Sequence, residues 1–219
     1  MKIFRLLTAS LVLFSAMVAA GVFVFALVVT FAVSAFRGIE ISAWNLVIAQ
    51  IARWYLLFVG VYVIHNVLPI AVAHGRTRRE FLAATAGFTV VVAAAMALLA
   101  WLGFVVEGGL YALMDWRADE HGSLAGIFLM FLVWCGVGAF IAAAFDRFGA
   151  GGLLSVPIGL VLVVTTGVLI PGSGELPFIR TIPAVLGTGW YAVSLLAWLV
   201  ALAGTWAIAR DMPIRARAA

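Results

Sequence analysis

The sequence predicts an all-α fold, a polytopic membrane bundle of six transmembrane helices with both termini cytoplasmic, and three observations carry that prediction. Of the 219 residues 66% are apolar, with only 13 basic and 9 acidic side chains, whereas a soluble domain is about 45–50% apolar and about 25% charged. Six stretches contain no Asp, Glu, Lys or Arg: Leu6 to Phe36, Trp54 to Gly75, Phe81 to Val106, Gly122 to Phe145, Phe148 to Gly174 and Thr181 to Ala209. Each is 22 to 31 residues long, and about 20 helical residues cross a hydrocarbon core of about 30 Å. The runs are continuous, whereas barrel strands alternate apolar and polar residues, so a helical bundle is preferred to an outer-membrane barrel. Spans are expected at approximately 11–35, 54–74, 81–105, 124–145, 151–170 and 188–209. They leave one transmembrane domain over residues 1–219 and no soluble domain.

The first span is preceded by Met1 to Arg5 and carries small residues around Ala16 to Gly21, a pattern shared with signal peptides. A signal h-region is only about 7–15 residues long, and this run stays uncharged to Phe36, so it reads as a retained helix. Gly38 to Arg53, with Trp44, Asn45 and Gln50, is either an interfacial helix or an outward extension of span two. Trp44 and Trp54 suit an aromatic belt at headgroup level. Span two ends at His74-Gly75, and the shortest turn in the chain sends span three back beside it. Glu107 to Ser123 forms an acidic loop with Tyr111 and Trp116 at the interface. Its Asp115, Asp119, Glu120 and His121 read as solvated charges, because no calcium-ligand spacing is present. Spans four and five are joined by Asp146-Arg147 and a run containing Gly149, Gly151 and Gly152. Pro171, Pro177 and Pro183 recur between spans five and six, and proline breaks regular helix, so that connection is looped or partly re-entrant.

The charges give the orientation. With the N-terminus inside, the cytoplasmic segments hold nine basic residues: Lys2, Arg5, Arg76, Arg78, Arg79, Arg147, Arg210, Arg215 and Arg217. The external segments hold four, Arg37, Arg53, Arg117 and Arg180, and most of the acids. This is the positive-inside bias. The net charge of +4 is thus a topology signal, with anionic membrane lipids as the accompanying partner and no nucleic acid.

Catalytic chemistry finds no support. Lys2 is the only lysine, so no phosphate-binding GxxxxGK[ST] loop exists. Gly187-Thr188-Gly189 with Ala192 matches the loose dinucleotide pattern but follows no strand, and the match is chance. Ser173 follows Pro171-Gly172 without the motif of an intramembrane serine protease, and no HExxH or paired intramembrane carboxylates occur. The single Cys135 excludes an internal disulfide and a thiolate metal centre. The chain is expected to be no enzyme and to carry no cofactor or metal of its own.

Two constellations remain. In His74-Gly75-Arg76-Thr77-Arg78-Arg79-Glu80-Phe81, Thr77 and Glu80 form a capping box that starts span three at about Arg78. Arg78 and Arg79 then occupy the first turn, where the helix dipole disfavours cations by about 0.3–1 kcal/mol each. Something outside this helix compensates, either anionic lipid or an acidic or carbonyl-rich groove on a cytoplasmic partner. On span two, at 100° per residue, Tyr55, Tyr62, Asn66 and Pro69 share one face with His65 at its flank. That polar face either packs against another helix or lines a substrate path. Ala83, Gly87, Gly136 and Gly138 are expected to allow close helix approach.

The run from Ile41 through Trp44, Arg53-Trp54, Leu68-Pro69 and Ala73 to Phe81 resembles the permease subunits of bacterial type-2 ABC exporters, in which a Gly-x-Thr-Arg-Arg turn joins spans two and three. The resemblance covers residues 41 to 81 specifically and the six-span plan generally. It implies a bacterial cytoplasmic (inner) membrane protein that assembles with a second permease copy or paralogue and with ABC-type ATPase subunits, which bind the ATP and Mg. It also implies coupling to the ATPase through Arg76, Thr77, Arg78, Arg79 and Glu80. The chain departs from the family in its short segment before span one and in the small connection between spans five and six. The alternative reading is a non-transporting polytopic scaffold or sensor.

Overall fold

The computed structural model describes residues 17–18, 20–32, 34, 42–116, 121–170 and 187–212, and its regular structure there is helical with no strand among the described residues. In chain order the helices are α1 (Ala20–Ala32), α2 (Ala43–Ala73), α3 (Arg78–Leu113), α4 (Leu124–Phe148), α5 (Ser155–Leu169) and α6 (Trp190–Ala209). Four helical stretches are long and apolar enough to cross a membrane: Ala43–Ala73, Arg78–Leu113, Leu124–Leu169 and Trp190–Ala209. The third of these doubles back. Gly149 takes φ 59°, a left-handed conformation that glycine adopts freely, and a 3-10 turn, Gly149–Leu154, follows. Gly152 then lies against Phe145, and Gly159 against Val137 and Ile141, so α5 returns antiparallel along α4. The proline-rich connection expected after Pro171 lies outside the described residues.

The bundle is built around α4. Within the apolar window of Leu124–Leu169, 89% of residues are buried, against 33%, 44% and 28% for the other three stretches. Lipid is as apolar as these side chains and gives an apolar helix no drive to the centre. What α4 carries is a run of small residues that lets its neighbours approach, Gly136, Gly138, Ala139, Ala142 and Ala143, in a stretch from Leu124 to Phe145 without charge. Glycines bring its neighbours close. Gly60 of α2 lies on the Cys135 carbonyl, where an added Cβ would come within 2.8 Å of the Ala139 nitrogen, and Gly138 lies on the Leu57 carbonyl. On another side of α4, Gly136 receives the Trp198 ring, and Gly204 of α6 receives Phe140. These contacts align α2, α4 and α6 in parallel, with α3 and α5 running the opposite way. Ala83 and Gly87 behave otherwise than expected: both are exposed, and no atom approaches a Gly87 Cβ within 4 Å.

α2 begins at Ala43, before the span expected from residue 54, which settles Gly38–Arg53 over its described part as an extension of that helix. Ser42 is its N-cap and accepts from the Asn45 N–H. Glu107 of α3 completes the cap. Its carboxylate accepts from Ser42 Oγ at 2.5 Å and from the Trp44 N–H at 3.1 Å, with Glu107 only 3% exposed. A carboxylate at a helix N-terminus meets the orphan N–H groups and the positive dipole end. Glu107 and Tyr111 therefore belong to the buried part of α3 and not to an external loop. Trp44 is likewise core: its indole donates to the Ala100 carbonyl at 2.8 Å and lies across Gly103. Trp54 remains half exposed. On α1, Phe23 meets Trp44 edge-on and Phe31 meets Trp116, which puts the end of α1 beside the end of α3.

Two π turns, Ile48–Ala52 and Val63–Val67, interrupt α2. The second has a local cause. Pro69 has no N–H and its ring would press on the carbonyl four residues back. Widening the turn, with the Leu68 N–H donating to the Val63 carbonyl, carries the helix past the proline to Ala73.

Candidate functional site

In the turn between α2 and α3 the N–H groups of Gly75, Arg76 and Thr77 are all hydrogen-bonded. Gly75, at φ 78°, closes α2: its N–H donates to the Val72 carbonyl at 2.9 Å, and the Arg76 N–H donates to Ala71 at 3.1 Å. Those two bonds satisfy carbonyls that the end of a helix leaves open. Thr77 opens α3 with the capping box that its spacing implies. The Glu80 N–H donates to Thr77 Oγ1 at 3.2 Å, and the Thr77 N–H donates to the Glu80 carboxylate at 3.3 Å. Gly75 to Thr77 is thus a corner fixed at both helix ends by hydrogen bonds.

The three arginines of this corner divide. Arg78 donates through Nη1 to the Arg210 carbonyl at the end of α6, at 2.9 Å. Arg147, at the end of α4, donates to the Ile208 carbonyl at 2.9 Å. Two guanidiniums therefore cap α6, meeting its orphan carbonyls and the negative end of its dipole. The carbonyl-rich groove that compensates Arg78 lies within this chain. Arg76 and Arg79 are exposed and pair with no carboxylate among the described residues. Arg210 pairs with Asp211 at 3.1 Å and stacks over Trp206. Five of the six described arginines, Arg76, Arg78, Arg79, Arg147 and Arg210, thus gather at one end of the bundle. The described acids of the opposite end are Glu107 and Asp115.

The polar face expected on α2 does not persist. Tyr55 helps line a small apolar crevice of about 70 Å³ between α1, α2 and α3, together with Trp44, Ile48, Ile51 and Met96. Tyr62 is exposed at 44%. His65 turns to α4, where its Nδ1 lies 2.6 Å from the Asp146 carboxylate, and Asn66 is half-buried. A π turn inserts a residue, which rotates everything beyond it by about 100°. The turn at Val63–Val67 separates Tyr62 from His65 and Asn66 in this way.

Sequence reasoning missed Arg53. Expected outside the membrane, it lies within α2, is 1% exposed, and stacks over Trp134 of α4 with its guanidinium carbon 5.5 Å from the ring centroid. Its Nε, Nη1 and Nη2 are buried and have no hydrogen-bond partner among the described residues. Ser194 Oγ and Trp198 Nε1 of α6 are also buried without partners, but Trp198 meets a different side of α4, at Gly136. A signal for Arg53 was present in the sequence, since it is the only charge between Glu40 and Arg76. Among the described residues no group of three or more His, Cys, Asp or Glu could hold a metal. Comparisons with protein-family models, curated proteins and solved structures find no match to this chain.

Proposed function

We propose that the chain is the transmembrane permease subunit of an ATP-driven exporter in the bacterial cytoplasmic membrane. In this reading α1 to α6 are six spans with both termini cytoplasmic, and the arginine-rich end faces the cytoplasm. A second permease copy or paralogue completes the path, and a separate ATPase binds ATP and Mg. The observation that carries the reading is the corner at Gly75–Glu80: it is hydrogen-bonded within itself, and it holds out two guanidiniums, Arg76 and Arg79, that nothing described in the chain uses. Such a corner fits an acidic groove on a cytoplasmic partner, where burying an arginine pair contributes strongly to binding. Replacing both by Ala leaves seven of the nine basic residues expected inside, so orientation is retained. The double variant is expected to insert and fold, and to lose at least tenfold in ATPase retention on copurification. A double variant that retains a fully coupled ATPase would overturn the assignment.

The second reading, a non-transporting scaffold or sensor, draws support from Arg78, whose role in capping α6 is structural. The two readings separate on whether any ATPase accompanies the wild-type chain when it is purified from its native membrane.

A further inference from the structure

Arg53 lies ten steps, or about 15 Å of helix, beyond the start of α2, and Trp134 lies ten steps beyond the start of α4. The cation is therefore well inside the bundle. Arginine stays protonated in proteins, so it cannot escape burial by losing its charge. Stacking on Trp134 offsets part of the lost hydration. It satisfies none of the N–H donors, which lie in the plane of the guanidinium group and need acceptors there.

The described carboxylates are engaged or distant. Glu107 accepts from Ser42 and Trp44, Asp146 lies on His65, Glu80 is in the capping box and Asp211 is on Arg210. Asp115 lies beyond the end of α3. From Arg53 to His65, where Asp146 sits, is twelve residues, or about 18 Å of helix. Intramembrane cations are retained for function rather than stability, and a planar fork of donors matches the two oxygens of a carboxylate or phosphate. We infer that Arg53 anchors a binding site for an oxyanion, a carboxylate or a phosphate, inside the helical bundle. The acceptor is either a small free anion or the headgroup of an amphiphile. The apolar crevice at Tyr55 is no part of the site, because its lining residues occupy the other side of α2. The site would serve an exporter or a sensor alike, so it stands independently of the proposed function.

The test is thermal unfolding of the purified full chain in a neutral detergent at constant ionic strength. Acetate and inorganic phosphate are titrated in one arm, a short-chain phosphatidic acid in a second, and chloride serves as the spherical control. Binding at tenfold above the dissociation constant is expected to raise the midpoint by about 3–6 °C. A rise with acetate or phosphate identifies free anions, and a rise confined to phosphatidic acid identifies a lipid-borne headgroup. Arg53→Met should abolish the rise. Should that variant fail to fold, Arg53→Lys keeps the charge but loses the fork, and is expected to bind the oxyanion at least tenfold more weakly. A wild-type midpoint that ignores every anion, one that follows chloride equally, or a rise undiminished in both variants overturns the inference.

Discussion

At Gly60 and Gly138 the packing of the bundle depends on single hydrogen atoms. Each position faces the carbonyl of the neighbouring helix, so an added Cβ meets backbone and not a side chain that could move aside. Gly138→Ala is expected to destabilise the bundle by about 1–3 kcal/mol, the usual range for overpacking, measured as a lowered unfolding midpoint in detergent. Gly87→Ala, whose Cβ would meet open space, is the control and should be neutral or slightly stabilising. Glu107 tests a different dependence. Glu107→Ala leaves the Ser42 hydroxyl and the Trp44 N–H without their acceptor, and is expected to cost about 1–3 kcal/mol. Glu107→Gln, which keeps an acceptor oxygen, should recover part of that loss. Gly136 and Gly138 announced themselves in the sequence as small residues in an apolar span. Glu107 did not, because its partners stand more than sixty residues upstream and nothing local marks them.

The elements divide in the same way between local and distant causes. The start of α3 was legible to the residue, because a capping box is written within four consecutive positions, Thr77 to Glu80. The true extent of α2 was not, since Arg53 looks like a boundary until Trp134 is known to cover it. Nor was the face of α2 legible, because regular 100° spacing fails at Val63–Val67. Taken alone, α3 would gain helical stability from Arg78→Ala, through loss of an unfavourable dipole contact and through the higher propensity of Ala. In the assembled bundle the sign reverses. The substitution removes a donor from the Arg210 carbonyl, so a net loss of about 0.5–1.5 kcal/mol is expected. Arg79→Ala removes the same unfavourable dipole contact and no hydrogen bond, so it should leave the unfolding midpoint unchanged or slightly raised, and the pair of midpoints distinguishes the structural arginine from the exposed one.

Over the described molecule, charge is arranged along the bundle and burial is concentrated at its central helix. The arginines at the ends of α2, α4 and α6 and at the start of α3 share one end, consistent with the nine-to-four bias counted along the chain. On a Cys135→Ser background, Asp119→Cys is expected to react with an impermeant thiol reagent added outside intact cells, and Arg76→Cys only after the membrane is opened. The reverse pattern would invert the proposed orientation. The helical class of the fold was legible from composition and run length alone, which report solvent preference. The centrality of α4 was not, because all six runs are similarly apolar and only three-dimensional packing ranks them.

That centrality has a consequence for synthesis. Trp134 follows Arg53 by 81 residues, so while the ribosome is still making α3 the guanidinium enters the membrane with no aromatic face to lie on. An arginine costs an inserting helix up to about 2.5–3.5 kcal/mol, the value at the helix centre, and α2, with Arg53 a third of the way along it, must carry part of that penalty until its central partner emerges. Nascent chains ending before residue 124 are therefore expected to leave α2 loosely held at the insertion machinery and open to extraction by alkali or attack by protease, whereas chains extended past Phe148 should resist both. In this protein the fourth helix to be translated is the one that allows the second to settle.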